Sequence, residues 1–404
     1  MRRRQRSWAI AAIAFTGGVG GGVVFPILPV VGAQLGIAAA MIGLILSANR
    51  IARLVFNPVT GSLLDRFGAR WPVAFGLLLE AVGSGAYSIA LAADRPALWF
   101  LAGRIIWGLG SSLLLVGTLA AVLSISDDGS RAGMTARVRT AISLGLPSGL
   151  VIGGVVADTV SDNAAFLVAS GLSLAAALGA AGVMPAHAER RRGPGPGRPE
   201  SRRAAWGEVL SLSTLRIIFA ANALLFFAVS GVLLATVALA VDARHLLVFG
   251  FGAQGSAGLL MAVLMGARAS ASLACGRYLD RSASRTRLLL PAMAGVAIGF
   301  VIFGLAANLG LAIAGLLCIG AGAGGLTIPM LTLLGDVAPA HAHGRALSVY
   351  QWSSDLGGAL GPILGLMIGR WIGYGPSYVA VGLLILMMAL PLRRLASDER
   401  RRSG

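Results

Sequence analysis

Two carboxylic acids stand where little water is expected. Glu80 lies in an apolar run that begins at Trp71, and Asp355 lies in another, beside Gln351, Trp352 and Ser353. Helical rise puts Glu80 roughly 13 Å into its run. A carboxyl in low dielectric can carry a proton near neutral pH and give it up when its surroundings change. That is the chemistry needed to couple a proton gradient to other work. Asp355 is the first candidate, because it precedes a pliable Gly357–Pro362 stretch, and Glu80 is the second. Arg104 also sits inside an apolar run, where its charge costs at least about 2.5–3.5 kcal/mol on insertion scales. It must therefore face a cavity or a partner. Arg50, Arg53 and Arg268 lie in or near similar runs. A fixed pair between one of them and either acid would be structural and would not titrate. Asn222, Gln351, Thr118 and Ser230 could line a cavity, although bonding one helix to another is the commoner use of such residues. Asp158 and Asp242 fall at helix ends and are predicted to be solvated.

Composition says which elements hold these groups. Apolar residues make up 56% of the 404-residue chain and charged residues 12%, with a mean hydropathy of +0.82. A soluble domain carries about 25% charged residues, so this is a polytopic membrane protein in a lipid bilayer. A spanning helix needs about 20 apolar residues. Twelve candidates begin near Trp8, Met41, Trp71, Pro96, Met134, Asn163, Leu212, Val248, Leu288, Leu309, Ala346 and Tyr374. Polar residues or glycines interrupt the fifth, eighth and eleventh. The fold class is thus an all-α membrane protein with 12 transmembrane helices.

All 33 basic residues are Arg, and 24 of them fall in the termini and the even-numbered loops of this topology. Only Arg95, Arg244 and Arg370 fall on the other side. Basic residues stay cytoplasmic, so both termini are expected in the cytoplasm of a cell-membrane protein. The net charge of +17 is then a topology signal. Scattered over short loops, it does not point to nucleic acid. The apolar run from Trp8 to Val31 exceeds the roughly 7–15 residues of a signal-peptide core and reads as an uncleaved first helix. Cys275 and Cys318 lie in different spans and read as buried small residues, with no metal or other cofactor implied.

The chain repeats itself. Arg53-x7-Gly61-x3-Asp65-Arg66 recurs as Arg268-x7-Gly276-x3-Asp280-Arg281, 215 positions later. The same offset carries Pro147 onto Pro362 and Gly154 onto Gly369. A Pro- and Gly-rich basic stretch, Arg190 to Pro199, reads as a tether. The expected organisation is two pseudo-symmetric six-helix bundles, 1–184 and 209–404 with a short basic tail, joined by a cytoplasmic linker at 185–208.

The stretch Gly61-Ser-Leu-Leu-Asp65-Arg66-Phe-Gly68-Ala-Arg70 resembles the signature loop of the major facilitator superfamily, with Trp71 in place of a second Arg. The second copy, ending Asp280-Arg281-Ser-Ala-Ser-Arg285, keeps the core and loses the later Gly. The absence of a side chain at Gly61 is expected to let helix two approach another helix closely. By resemblance, Asp65 reaches the start of helix eleven near Gly344 and Arg345, and Asp280 reaches helix five near Arg131, as cytoplasmic gate latches. Arg104-Ile-Ile-Trp-Gly108-Leu-Gly110 is similar to a helix-four pattern whose Arg serves substrate binding or proton coupling in the family. Gly145, Pro147, Gly149, Gly153 and Gly154 resemble, with altered spacing, a helix-five antiporter motif that bends the helix. Gly361-Pro362 of helix eleven fits its Gly-Pro part better. Phe25-Pro26-Ile27-Leu28-Pro29 is similar to the first helix of the 12-helix drug:proton antiporters, without the acid that several of them carry there.

The resemblance implies a monomeric secondary transporter working by alternating access between its halves. The expected activity is proton-coupled efflux of small hydrophobic or drug-like molecules. A metabolite or sugar permease of the same fold, importer or uniporter, is the alternative. An enzyme is not expected: Asp127-Asp128 has no second acidic cluster, and His187, His245, His341 and His343 form no ligand pattern with it. A sensor without transport would show no substrate flux.

Overall fold

Helices joined by short turns, with no strand, account for the described residues of the computed structural model, which are 3–126, 131–185, 211–279, 286–339 and 342–393. The first six helices are α1 (Arg3–Gln34), α2 (Ala39–Phe67), α3 (Arg70–Ala90), α4 (Pro96–Ile125), α5 (Arg131–Thr159) and α6 (Asp162–Val183). Then follow α7 (Ser213–Ala243), α8 (Ala253–Leu279), α9 (Leu289–Leu305), α10 (Leu309–Val337), α11 (His343–Ile372) and α12 (Tyr374–Met387). All twelve begin within five residues of the positions predicted from apolar runs. Ten are long and apolar enough to cross a membrane. The other two are the short α9 and α11, whose apolar run is broken by Gln351, Ser353, Ser354 and Asp355.

Local chemistry sets the ends. Ser161 Oγ accepts the Ala164 N–H at the start of α6 (3.1 Å), and Asn308 Oδ1 accepts that of Leu311 at the start of α10 (2.9 Å), each satisfying an orphan donor. Pro96 opens α4, where its missing N–H costs nothing. Pro147 and Pro362 lie inside unbroken helices.

Contacts group the chain into two compact units, Met1–Arg191 with Val237–Leu259, and Arg192–Thr236 with Leu260–Gly404. Inside each, helices meet backbone to backbone at glycine. A methyl group built on Gly153 of α5 would lie 2.7 Å from the Val23 Cα of α1, and one on Gly231 of α7 would lie 2.6 Å from the Gly361 Cα of α11. Likewise a methyl on Gly83 would lie 2.6 Å from the Gly103 carbonyl oxygen of α4, and one on Gly299 of α9 would lie 2.7 Å from that of Gly315 on α10. Such approach is what small residues permit between membrane helices.

These crossings recur, and they give the register of the repeat. Gly145, Gly149 and Gly153 of α5 correspond to Gly357, Gly361 and Gly365 of α11, an offset of 212. Gly103 and Gly110 of α4 shift by the same 212 to Gly315 and Gly322. Gly76 and Gly83 of α3 shift by 216 to Ala292 and Gly299. Asn49, met by Gly108, shifts by 215 to Leu264, met by Gly320. The offset of 215 therefore holds for α2 and α8 but not for helices five and eleven. There Pro147 matches Ala359 and not Pro362, because turn lengths differ between the halves. In α7 the register moves within one helix: Val19 corresponds to Phe227 (208), whereas Gly22 corresponds to Gly231 and Val23 to Val232 (209). The extra residue falls in Phe226–Leu233, which is wound as a π-helix, the form that absorbs a single added residue.

Substituting Ala at Gly149 or Gly361 forces two backbones apart and should destabilise by about 1–3 kcal/mol, read as a lower unfolding temperature in detergent. Among the described residues nothing lies within 4 Å of a methyl on Gly61 or Gly276, so Ala at those positions should leave that temperature unchanged or raise it.

Candidate functional site

The turn carrying the Asp-Arg motif is built by Gly68, whose φ of 70° few side chains tolerate. Its N–H returns to the Leu64 carbonyl at 2.9 Å. Arg70 Nε donates to the Met184 carbonyl at 3.0 Å, tying the start of α3 to the end of α6. Asp65 and Arg66 are exposed, with Arg66 over the Phe67 ring. Among the described residues nothing lies within 4 Å of a methyl built on Gly61 or Gly276, so no close approach at Gly61 is seen there. Asp280, Arg281, Arg285, Asp127, Asp128, His187, His341 and the tether lie outside the described residues, as does the side chain of Arg131.

Unit one holds its polar groups between α1, α3, α4 and α6. Arg104 is fully buried. One terminal nitrogen donates to Asn49 Oδ1 (2.9 Å) and to the Leu46 carbonyl (3.2 Å), both on α2. Its guanidinium lies 5.2 Å from the Phe25 ring centre and 5.7 Å from that of Trp107. The charge is met by oxygens and aromatic faces, as a buried cation requires. Glu80 is 0% exposed, and neither carboxyl oxygen has a hydrogen-bond partner. Ser84 and Tyr87 lie one and two turns along the same face of α3, and their hydroxyls are likewise buried and unpartnered. So are Trp107 Nε1 on α4 and Ser173 Oγ on α6. The Tyr87 ring packs on Phe100 and Phe166, with centres at 6.0 and 5.3 Å.

Unit two places its polar groups at the α7–α11 crossing. Asn222 Nδ2 is within 2.8 Å of the Tyr350 carbonyl, Ser353 Oγ and Ser354 Oγ. It acts as a clamp from helix to helix. Asp355 is buried, with Gln351 Nε2 at 3.5 Å. Arg268, half-buried on α8, lies over the Phe226 ring at 5.6 Å. Arg53 is half-buried on α2. Thr118 donates back to Leu114 in its own helix (2.7 Å). Cys275 Sγ faces the Gly325 carbonyl at 3.6 Å, and both cysteines are free thiols.

Asp158 has a partner besides water. It is exposed, yet its carboxylate accepts the Gly255 N–H at 2.7 Å, in the first turn of α8, where an anion meets the helix dipole. Gly154 abuts the backbone of Gln254 beside it. Sequence reasoning missed this cap, because nothing local joins residues 158 and 255. It also missed Ser84, Tyr87, Trp107 and Ser173, although the 80, 84, 87 spacing of a single helical face was there to read. Among the residues expected to bend α5 and α11, Gly145, Gly149, Gly153 and Gly361 lie where those helices touch α1 and α7. Among the described residues no group of three His, Cys, Asp or Glu could hold a metal ion.

Residues 10–362 and 246–404 match the sequence profile of the Major Facilitator Superfamily. Quinolone resistance protein NorA of Staphylococcus aureus is 27% identical over 158 residues, 39% of this chain and 39% of that protein. Multidrug resistance protein 1 of Bacillus subtilis is 26% identical over 160 residues, 40% of each. The chain thus matches about two-fifths of the length of these curated relatives. A solved bacterial homolog to the human lysosomal transporter Spinster, inward-facing and unoccupied, superposes with a TM-score of 0.79 at 15% identity, over 98% of this chain and 97% of that one. A mutant of the nucleoside transporter NupG gives 0.81 at 12% identity, over 96% and 99%. Identities this low show a shared fold.

Replacing Asn49 by Ala leaves the buried Arg104 short of one acceptor. It should cost about 1–3 kcal/mol, seen as a lower unfolding temperature, and Asn49→Asp should recover part of it.

Proposed function

This chain belongs to the Major Facilitator Superfamily, and we propose that it is a secondary transporter exporting small, largely apolar or drug-like compounds in exchange for protons. The observation that carries export is the likeness to two resistance proteins, in Staphylococcus aureus and Bacillus subtilis. Proton exchange is supported by the two buried carboxyls, Glu80 and Asp355. Both sit on helices that meet their neighbours at glycine, so a small change in packing changes what surrounds them. The arginine distribution supports a cell-membrane protein with both termini in the cytoplasm.

Alternating access needs contacts that open and close. The turn of Asp65, Arg66, Gly68 and Arg70 is one such element, and the Asp158 cap on α8 is another. The half-buried Arg53 and Arg268, which occupy matching positions on α2 and α8, and Gln351 beside Asp355 are the polar groups that would sense substrate or proton.

Purified protein in proteoliposomes tests this reading. An imposed pH gradient should drive uptake of a quinolone or a fluorescent hydrophobic cation into vesicles, and an ionophore that collapses the gradient should abolish it. Asp355→Asn should weaken the pH-driven component. Flux of a metabolite that ignores the gradient would replace export by the permease reading, and no flux with any compound would remove transport of this kind.

A further inference from the structure

The repeat supplies an internal control for the polar groups of unit one. Through the glycine crossings, Glu80 corresponds to Val296: Glu80 lies against Gly110, and Val296 lies against Gly322. Tyr87 corresponds in the same way to Phe303, against Gly103 and Gly315, and Trp107 to Ile319, against Gly83 and Gly299. The same offsets carry Ser84 to Phe300 and Arg104 to Leu316. For α6 and α12 the offset is again 212, since Ser170 meets the Ala81 carbonyl and Gly382 meets that of Ala297. Ser173 then corresponds to Ile385. Every counterpart is apolar and no more than 1% exposed. The fold therefore builds these positions from Val, Leu, Ile and Phe when packing is the only demand. In unit one it carries a carboxyl, three hydroxyls, an indole N–H and a guanidinium. Burying them costs stability that the twin does not spend, so the fold alone does not call for them.

The crossing around Glu80 is closed. Its Oε2 lies 3.2 Å from where a methyl on Gly17 would stand, and its Cγ lies 3.0 Å from the equivalent point on Gly110. No organic substrate fits there, and a proton does. An ionised carboxylate accepts hydrogen bonds only, and none reaches Glu80. In this conformation the neutral acid is the form the surroundings tolerate. The ionisable groups on the helices around it are few. Residues 7–33 of α1 contain none; α4 offers Arg104, α6 only Asp162 at its first residue, α3 itself Arg70 and Tyr87, and α2 Arg50, Arg53, Asp65 and Arg66. Arg104 points a terminal nitrogen at α2, while its Nε is unpartnered. Buried donors without acceptors thus stand beside a buried acceptor without donors.

We propose that Glu80 is a proton-binding site of the first unit, occupied in this conformation and emptied in an alternative one. There Ser84, Tyr87, Trp107, Ser173 or Arg104 Nε turn their free donors to the carboxylate. Low pH favours the conformation described here, and raising the pH depopulates it. The site names the coupling residue of the proposed export, and to that extent rests on that reading. Its protonation does not.

Infrared spectroscopy of the full-length protein in lipid nanodiscs tests the site directly. A protonated-carboxyl C=O band, shifted by deuterium, should be present at neutral pH, lost in Glu80→Gln and kept in Asp355→Asn. Identical bands in wild type and Glu80→Gln would overturn the proposal, as would a band that responds to sodium and not to pH. Glu80→Val copies the residue that unit two uses and covers the case in which the amide misfolds. In proteoliposomes both Glu80 variants should lose pH-driven accumulation, and retention of it would also overturn the coupling role. If wild type moves no substrate while the band behaves as expected, export fails and the proton site stands.

Discussion

Helices in lipid gain little from burying apolar surface against one another, since the tails they leave are as apolar as the neighbours they meet. What binds each unit is backbone approach, which only glycine allows at Gly18–Gly145, Gly83–Gly103, Gly231–Gly361 and Gly299–Gly315. Everything else in the structure is placed by those crossings. They decide which side chains face inward and how little room is left beside them. They also explain why 57 glycines serve a helical protein well, where in water they would weaken its helices.

Polar groups are then expensive, and the two units spend them differently. Unit two gathers Asn222, Ser353 and Ser354 at the α7–α11 crossing, where the amide holds two helices together. Unit one keeps Arg104, Glu80 and the hydroxyls of α3 on another crossing. An aromatic pair shows the contrast in miniature. Tyr87 packs on Phe166 at 5.3 Å, and the matching Phe303 packs on Tyr378 at 4.9 Å. The hydroxyl has changed rings, and in unit two it finds Thr236 at 2.8 Å.

Span positions were legible because hydrophobic length is a local property, readable to within a turn or so. The need of Arg104 for partners was legible too, since a lone cation in an apolar run has to be met. Which partners was not, because Leu46 and Asn49 lie more than fifty residues away. The repeat was visible at Asp65 and Asp280. Its register elsewhere was hidden by turns of unequal length, so a single offset mismatched Pro147 and Pro362. The surroundings of Glu80 depended on four helices meeting, and no window of sequence holds four helices. Gly61 carries the opposite lesson: a glycine in a motif need not mark a contact.

The π-helical turn of α7 has a history written in it. Up to Phe227 the helix keeps step with α1, and by Gly231 it runs one residue late, yet Gly231 still meets Gly361 as Gly22 meets Gly149. A helix one residue longer than its counterpart keeps the same crossing by widening a turn. The two halves thus differ in length without losing their seams. The internal ancestry of such a chain is therefore better traced through its contacts than through its alignment.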